Sequence, residues 1–388
     1  MNSNLRIVYV ASGDVSVYES QVLELLCFIK DKVKELILLQ GFKSVEEKKV
    51  LQSKMSNFPY IRTIWFKSYP LYSIYENTAI KSLTSAIKKI EDFEECIYHV
   101  RAEYVGYLLK KICFNDDLKL RTLIDIRGVL LEELKYKYTY ASLVRKILCC
   151  IQYQYLKRCY NHLFTKDDSP IKITSVSPLI NDYLREYYPL CRYEMFFNPN
   201  IAGERFIYSL SKRIELRRKL GFNDDDVVAI CSTGGNAVWQ KDRLMVKYLV
   251  EKGVKVINLS KATLDLDNVV SKTIPFSEMP DYLSVADIAI LWRDDTFMNN
   301  SASPSKFSEF ACMGLYVIHN SSVEVATKHI VDSGSGLLLK SVNETFELND
   351  IGFYSKMRSN WIEKGLQTFG IENIGKSYLS IYNTLYTK

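Results

Sequence analysis

Uninterrupted apolar runs recur along this chain, separated by segments in which apolar residues return every three or four positions. The first run, over 5–12, ends in Ser12-Gly13-Asp14. A helical pattern follows (Val22, Leu23, Leu25, Leu26, Ile29), then a second run over 36–39. Further runs at 60–66, 97–100 and 122–126 continue the alternation. A sheet with one wet face alternates apolar and polar residues, so continuous runs predict parallel strands covered on both faces. After Asn198-Pro199-Asn200 a second series begins, with strands predicted at 227–232, 255–259, 288–292, 315–319 and 336–339. Helices are predicted between them at 243–252, 279–285, 304–312 and 323–331.

Two such series predict an α/β fold of two doubly wound domains facing a central cleft. The first domain is expected over 1–198 and the second over 199–373, with a hinge near 198–201. A terminal helix at 374–388 is expected to return to the first domain. A length of 388 residues suits two domains. The apolar content of 47% and mean hydropathy of −0.08 exclude a disordered chain.

Nine cysteines without a C-x-x-C pair, and only four histidines, argue against a disulfide framework and a zinc site. The apolar segment 7–11 is too short for a signal-peptide core, and no run approaches a membrane span. The expected location is therefore cytoplasmic. A net charge of +6 is too mild to mark a nucleic-acid binder, so no nucleic-acid partner is expected.

That charge is not evenly spread. Residues 134–166 hold seven basic side chains and no acidic one, with six of the 27 tyrosines interleaved. Val144, Ile147, Leu148, Ile151 and Tyr155 form an apolar stripe at helical spacing beside the basic one. Two readings stand. The helix lies on an anionic membrane surface with its tyrosines at headgroup depth, or it packs on its own domain with a solvated basic face.

Candidate chemistry gathers in the second series. In Asn299-Asn300-Ser301-Ala302-Ser303-Pro304-Ser305-Lys306-Phe307-Ser308-Glu309-Phe310-Ala311-Cys312-Met313-Gly314, Ser303 suits an N-cap and Pro304 a first helical turn. A helix N-terminus in such a fold favours phosphate, and Lys306 adds a cation there. Glu309, one turn on, is placed to accept hydrogen bonds from sugar hydroxyls; an ordinary capped surface helix is the bland alternative. After the strand 227–231 comes Ser232-Thr233-Gly234-Gly235-Asn236-Ala237-Val238-Trp239-Gln240-Lys241-Asp242. Gly234 and Gly235 let a backbone approach a diphosphate, and Lys241 or Arg243 could neutralise it.

With these loops, the chain resembles the two-domain (GT-B) glycosyltransferases, in particular the family-four-like sugar transferases of bacterial surface-polysaccharide assembly. The resemblance rests on 232–242, on Pro275-Phe276-Ser277 ahead of Met279-Pro280-Asp281-Tyr282-Leu283, and on Ala286-Asp287-Ile288-Ala289-Ile290 with Leu291-Trp292-Arg293. It runs on into Ser303-Pro304-Ser305-Lys306-Phe307-Ser308-Glu309-Phe310 and covers most of 195–340. It implies that the second domain holds a nucleotide-diphosphate sugar, with Glu309 on the ribose and Lys306, Ser303 and Ser305 on the phosphates. The segment Thr273–Ser277 would flank the base, and Phe276, Gly234, Gly235, Gln240, Lys241 and Arg293 would complete the donor site. The sequence departs from the family in carrying Ser301 where an earlier glutamate is common, and Asn236 and Lys241 where a phosphate-loop arginine is common.

The first half matches less closely. Tyr98-His99-Val100-Arg101 and Asp125-Ile126-Arg127-Gly128 end strands as in related transferases, with Arg127 where a histidine is more typical. His99, Asp125 and Arg127 are the candidate catalytic residues. Arg127 would stabilise the leaving diphosphate and His99 would orient the acceptor, against the alternative of an interior histidine. Gly13 would let its loop approach sugar or phosphate, and Asp14 could instead cap the following helix. The implied reaction moves a sugar to a lipid-linked or glycan acceptor with retention, without metal or other cofactor. A sugar-nucleotide epimerase of the same architecture and a non-catalytic nucleotide-sugar binding protein are the rival readings.

Overall fold

The computed structural model describes the chain apart from residues 1–3, 14, 16, 17, 57, 59, 113–120, 166–168, 233–237, 261, 262, 387 and 388. Gly234, Gly235, Asn236 and Asp14 therefore lie outside the described residues. The chain divides into two compact units, Met1–Pro199 with Ile374–Lys388, and Asn200–Asn373.

The first unit is built on strands β1 (Arg6–Ser12), β2 (Glu35–Phe42), β3 (Arg62–Lys67), β4 (Ile97–Arg101), β5 (Thr122–Ile126), β6 (Ile171–Ser175) and β7 (Tyr193–Phe197). Their order is β3-β2-β1-β4-β5-β6-β7, parallel throughout. The helices are α1 (Glu24–Lys30), α2 (Val45–Met55), α3 (Glu76–Ile87), α4 (Glu103–Ile112), α5 (Leu130–Thr139), α6 (Leu143–Leu163) and α7 (Pro178–Tyr187).

In the second unit, β8 (Val228–Cys231), β9 (Lys255–Asn258), β10 (Val269–Ser271), β11 (Ile288–Leu291), β12 (Tyr316–His319) and β13 (Gly336–Leu338) take the order β10-β9-β8-β11-β12-β13. They too are parallel. Its helices are α8 (Leu210–Leu220), α9 (Asp242–Glu251), α10 (Met279–Val285), α11 (Phe297–Asn300), α12 (Ser305–Cys312), α13 (Glu324–Ser333) and α14 (Ile351–Phe369), and α15 (Ile371–Tyr386) ends the chain. From Ile374 on, that last helix belongs to the first unit.

The apolar runs have the origin their pattern implies. Val228, Ile230, Ala289 and Leu291 enter one core cluster, while Ala229, Cys231, Ile288 and Ile290 enter another. Successive side chains point to opposite faces, so both faces are covered and every position must be apolar. Three strands escape the run pattern. Polar residues interrupt β6, β7 is a half-buried edge, and β10 is three residues long.

Each sheet reverses direction once, between β1 and β4 and between β8 and β11. At such a point the connections leave to opposite sides, and a crevice opens beyond the carboxyl ends of the strands. Close packing fixes α12 near one of these points. A Cβ on Gly365 of α14 would lie 2.2 Å from the Ala311 carbonyl oxygen, so only glycine lets the two helices approach this closely.

Candidate functional site

In the first unit the sites predicted from strand ends converge. His99 on β4 and Asp125 on β5 point into the same buried cluster. The His99 Nε2 lies 3.2 Å from the Asp125 Oδ2. Arg127 donates to that same oxygen from Nε at 2.8 Å, with Nη2 also 2.8 Å away. Burial pushes the Asp125 carboxyl up, but the Arg127 charge and the His99 hydrogen bond hold it well below the usual carboxylate range. Burial lowers the His99 pKa against the pull of Asp125. A neutral ring donates from Nε2 to the carboxylate and accepts the Tyr382 hydroxyl at Nδ1, 2.6 Å away.

This geometry corrects one expectation. His99 is fully buried, with Tyr9, Tyr378 and Tyr382 packed around its ring. It has no surface left for an acceptor, so it orients Asp125 instead. The outward-facing member is Arg127, whose Nη2 also donates to the Tyr378 hydroxyl at 3.1 Å. Asp125 keeps one oxygen, Oδ1, buried and without a hydrogen-bond partner among the described residues. Gly13 follows β1 at the same sheet reversal, with φ of 80° and, among the described residues, no atom within 4 Å of where a Cβ would sit. Glycine supplies that left-handed turn without strain and leaves the strand end open.

Tyr378 and Tyr382 are the residues that sequence reasoning missed. They come from α15, more than 250 positions away in the chain. The available signal was their four-residue spacing, which places both on one face of a helix expected to return to this unit.

In the second unit, Gln240 and Arg293 form an isolated antiparallel bridge where the sheet reverses. The Lys241 N–H donates to the Trp292 carbonyl at 2.8 Å, and the Trp292 N–H to the Asp242 Oδ1 at 2.7 Å. Asn320 holds the Arg293 backbone at both its N–H, 3.2 Å, and its carbonyl, 2.6 Å. The backbone is thus fixed while the side-chain polar atoms are not all used. The Ser232 Oγ, Gln240 Oε1 and Arg293 Nε are buried without hydrogen-bond partners among the described residues. These three lie toward the carboxyl end of the sheet, the end at which α/β folds bind ligands. Burial lowers the Arg293 pKa, opposed by Asp242. The Lys241 ammonium lies 3.7 Å from Asp294.

Helix α12 starts one residue later than expected. Pro304 occupies the N-cap position and no side chain caps the helix. Ser303 is not the cap because its Oγ accepts the Asn200 N–H at 3.0 Å, while its carbonyl accepts from the Asn200 side chain. Ser305 opens the helix. Lys306 and Glu309, one turn apart, pair at 2.7 Å. Burial raises the Glu309 pKa and Lys306 opposes it. The Phe276 ring carries two cations, the Arg205 guanidinium at 4.9 Å and the Lys306 ammonium at 5.6 Å. Arg205 is a further member that the sequence did not single out. Ser301, where the resembled transferases commonly have glutamate, donates its hydroxyl to the Phe297 carbonyl at 2.8 Å.

Among the described residues no group of three His, Cys, Asp or Glu side chains could hold a metal ion. No helix among them is long and apolar enough to cross a membrane.

No family model matches the sequence, and no curated protein is similar to it. Solved structures are similar over nearly the whole chain. A glycosyltransferase from Rickettsia africae superposes with a TM-score of 0.68 at 13% identity, covering 99% of both chains. HepE of Anabaena, solved in complex with UDP and glucose, gives 0.64 at 12% identity over 98% of this chain and 100% of its own. An alpha,alpha-trehalose-phosphate synthase (UDP-forming) from Burkholderia vietnamiensis gives 0.56 at 5%, covering 99% and 98%. At such identities the likeness is one of fold. The chain has the GT-B glycosyltransferase fold, with two Rossmann-like units.

Proposed function

We propose that the protein is a glycosyltransferase that moves a sugar from a nucleotide-diphosphate sugar to a lipid-linked or glycan acceptor. The observation that carries this reading is the set of unused buried polar atoms at Ser232, Gln240 and Arg293, in the same unit as Lys306 and the buried Glu309 of α12. A fold shared with glycosyltransferases, one of them solved with UDP-glucose, supports it.

In this reading the donor belongs to the second unit. The uncapped start of α12 and the ammonium of Lys306 attract the diphosphate, since free N–H groups and the helix dipole both favour negative charge. Lys241 and Arg293 supply further positive charge. Glu309 turns from Lys306 to accept the ribose hydroxyls, which lets the ammonium meet phosphate instead. Phe276 gives a flat face beside the base. In the first unit, Arg127 stabilises the charge that grows on the leaving diphosphate as the glycosidic bond breaks. His99, Tyr378 and Asp125 fix that guanidinium, so little reorganisation is needed during reaction. Retention of configuration, with a donor phosphate oxygen taking the acceptor proton, completes the proposal. The synthesis of surface polysaccharide at the inner face of the membrane is the setting we assign to it.

Glu309→Gln tests the donor site. The variant keeps size and loses the charge, so affinity for UDP-glucose in a thermal-shift titration is expected to fall by at least about tenfold, the value of a hydrogen bond to a charged group. Melting without ligand should move little. Unchanged affinity with every UDP-, GDP- and CMP-sugar that binds the wild type would remove Glu309 from the site. Turnover of donor alone, with no acceptor, would instead favour an epimerase.

A further inference from the structure

Helix α6 is only half a core helix. Its second half buries Tyr155, Leu156, Cys159, Tyr160 and Leu163. Its first half does the opposite, leaving Leu143 77%, Val144 69%, Ile147 57% and Ile151 50% exposed, with Leu148 also open. At about 100° per residue these five side chains share one arc of about 140°. Arg145 falls about 60° beyond one edge of that arc and Lys146 about 60° beyond the other. Of the stripe predicted from the sequence, Val144, Ile147, Leu148 and Ile151 face outward, while Tyr155 turns into the core.

We infer that the first half of α6, with the end of α5, docks on an anionic phospholipid bilayer. Charge selects this occupant. From 134 to 165 the sequence has no acidic residue. Arg145, Lys146, Lys157 and Arg158 have no carboxylate within ion-pair distance among the described residues, whereas Lys135 and Lys137 pair with Glu132 and Glu133. Arg145 and Lys146 flank the apolar arc, as cations do on helices that lie in a bilayer interface with their aliphatic stems along the acyl boundary. Tyr138 and Tyr140, at the turn between the helices, are exposed and sit where aromatic residues anchor at headgroup depth. A groove of about 350 Å³ between α5 and α6, lined by Leu134, Lys135, Tyr138, Cys149, Cys150 and Tyr153, continues the surface. A second copy of the chain would bring like charges together on this face. A nucleic acid would offer nothing to cover five aliphatic side chains.

The inference does not require the proposed transferase activity, and the experiment separates the two. The full chain is sedimented with vesicles of phosphatidylcholine containing phosphatidylglycerol, and with phosphatidylcholine alone. Wild type is expected to bind the mixed vesicles far more tightly than the neutral ones. Arg145→Gln with Lys146→Gln should lower that affinity about 25-fold, about fivefold per cation. Ile147→Ser with Ile151→Ser should lower it by about tenfold or more per isoleucine. All four positions lie on the open half of the helix, so melting should stay at the wild-type value, as should the thermal shift with UDP-glucose. Wild type that stays in the supernatant, or variants that sediment like wild type, would overturn the inference. So would a dimer abolished by the isoleucine changes, or an oligonucleotide that binds wild type and both variants alike.

Discussion

Asp125 and Asp287 are both buried aspartates paired with arginine, one guanidinium for Asp125 and three for Asp287. Asp287 stands at the amino end of β11, away from the ligand end of its sheet. Its two oxygens take Arg213 at 2.6 Å, Arg358 at 3.3 Å, Arg217 at 3.4 Å and the Val228 N–H at 3.0 Å. The surplus positive charge is met by the last carbonyls of α10, with Arg213 on the Val285 oxygen at 2.6 Å and Arg358 on that of Ala286 at 2.5 Å. Each oxygen of the carboxylate has two donors. Asp125 stands at the carboxyl end of β5, with three contacts on one oxygen and none among the described residues on the other. At the closed end of its sheet, a carboxylate with both oxygens met ties three arginines and a strand together and so holds the fold. At the open end, Asp125 has one oxygen unmet among the described residues, and the proposed function puts this cluster to use in transfer.

The sharpest way to break this contrast is to neutralise each carboxylate in turn. Asp287→Asn leaves three buried arginines with no counter-charge. Removing one partner of a buried ion pair costs about 3–5 kcal/mol, and here three partners are stranded together. Urea denaturation should show a loss of that size in the second unit, with donor affinity per folded molecule unchanged. A variant as stable as wild type would show that the helix carbonyls alone hold the arginines.

Asp125→Asn should do the reverse. The Arg127 side chain is 14% exposed and can turn toward water, and His99 is already neutral, so folding loses less. The guanidinium, however, loses the anchor that aims it. Transfer from a nucleotide-sugar donor should fall about 100-fold, the effect of removing one preorganised charge-stabilising group. Donor affinity in the second unit should be retained. Undiminished turnover with a measurable drop in melting temperature would make Asp125 a structural partner like Asp287.

How far these clusters could be read in advance depends on where their partners lie in the chain. Parallel strands buried on both faces are apolar along their length, so β1, β8 and β11 stand out without further information. Lys306 and Glu309 are one helical turn apart, and local spacing alone predicts their contact. Asp125 and Arg127 are two residues apart and likewise visible. Arg205 is not, because nothing local distinguishes one arginine near a domain boundary, and the spacing of Tyr378 and Tyr382 shows a shared helix face but not what that face meets. Their roles come from tertiary packing. Ser303 was misassigned for the same reason, since Asn200, a hundred residues away, takes the hydroxyl that local rules give to the cap. The stripe on α6 was legible as a stripe, but a core and a bilayer ask for the same aliphatic pattern. Only exposure tells them apart.

A third buried carboxylate completes the series and gives its gentlest test. Glu103 opens α4 and is 2% exposed, with no cation within ion-pair distance among the described residues. Its Oε1 accepts the Tyr160 hydroxyl at 2.5 Å. Burial pushes its pKa up to about 7, only partly offset by that hydrogen bond. Where Asp125 is held ionised by Arg127, Glu103 is therefore protonated in the folded chain over a range in which the unfolded chain has released its proton. The folded state then binds more protons than the unfolded one between the ordinary glutamate pKa and about 7. Stability from this group is fully present below that window and is lost as pH rises through it. The slope is at most about 1.4 kcal/mol per pH unit, the value of one proton. Glu103→Gln keeps a neutral group of the same shape and should flatten that part of the profile in urea denaturation across the window. A slope that survives the substitution would place the titrating group elsewhere and leave Glu103 ionised in the fold, without the counter-charge that Asp125 and Asp287 both have.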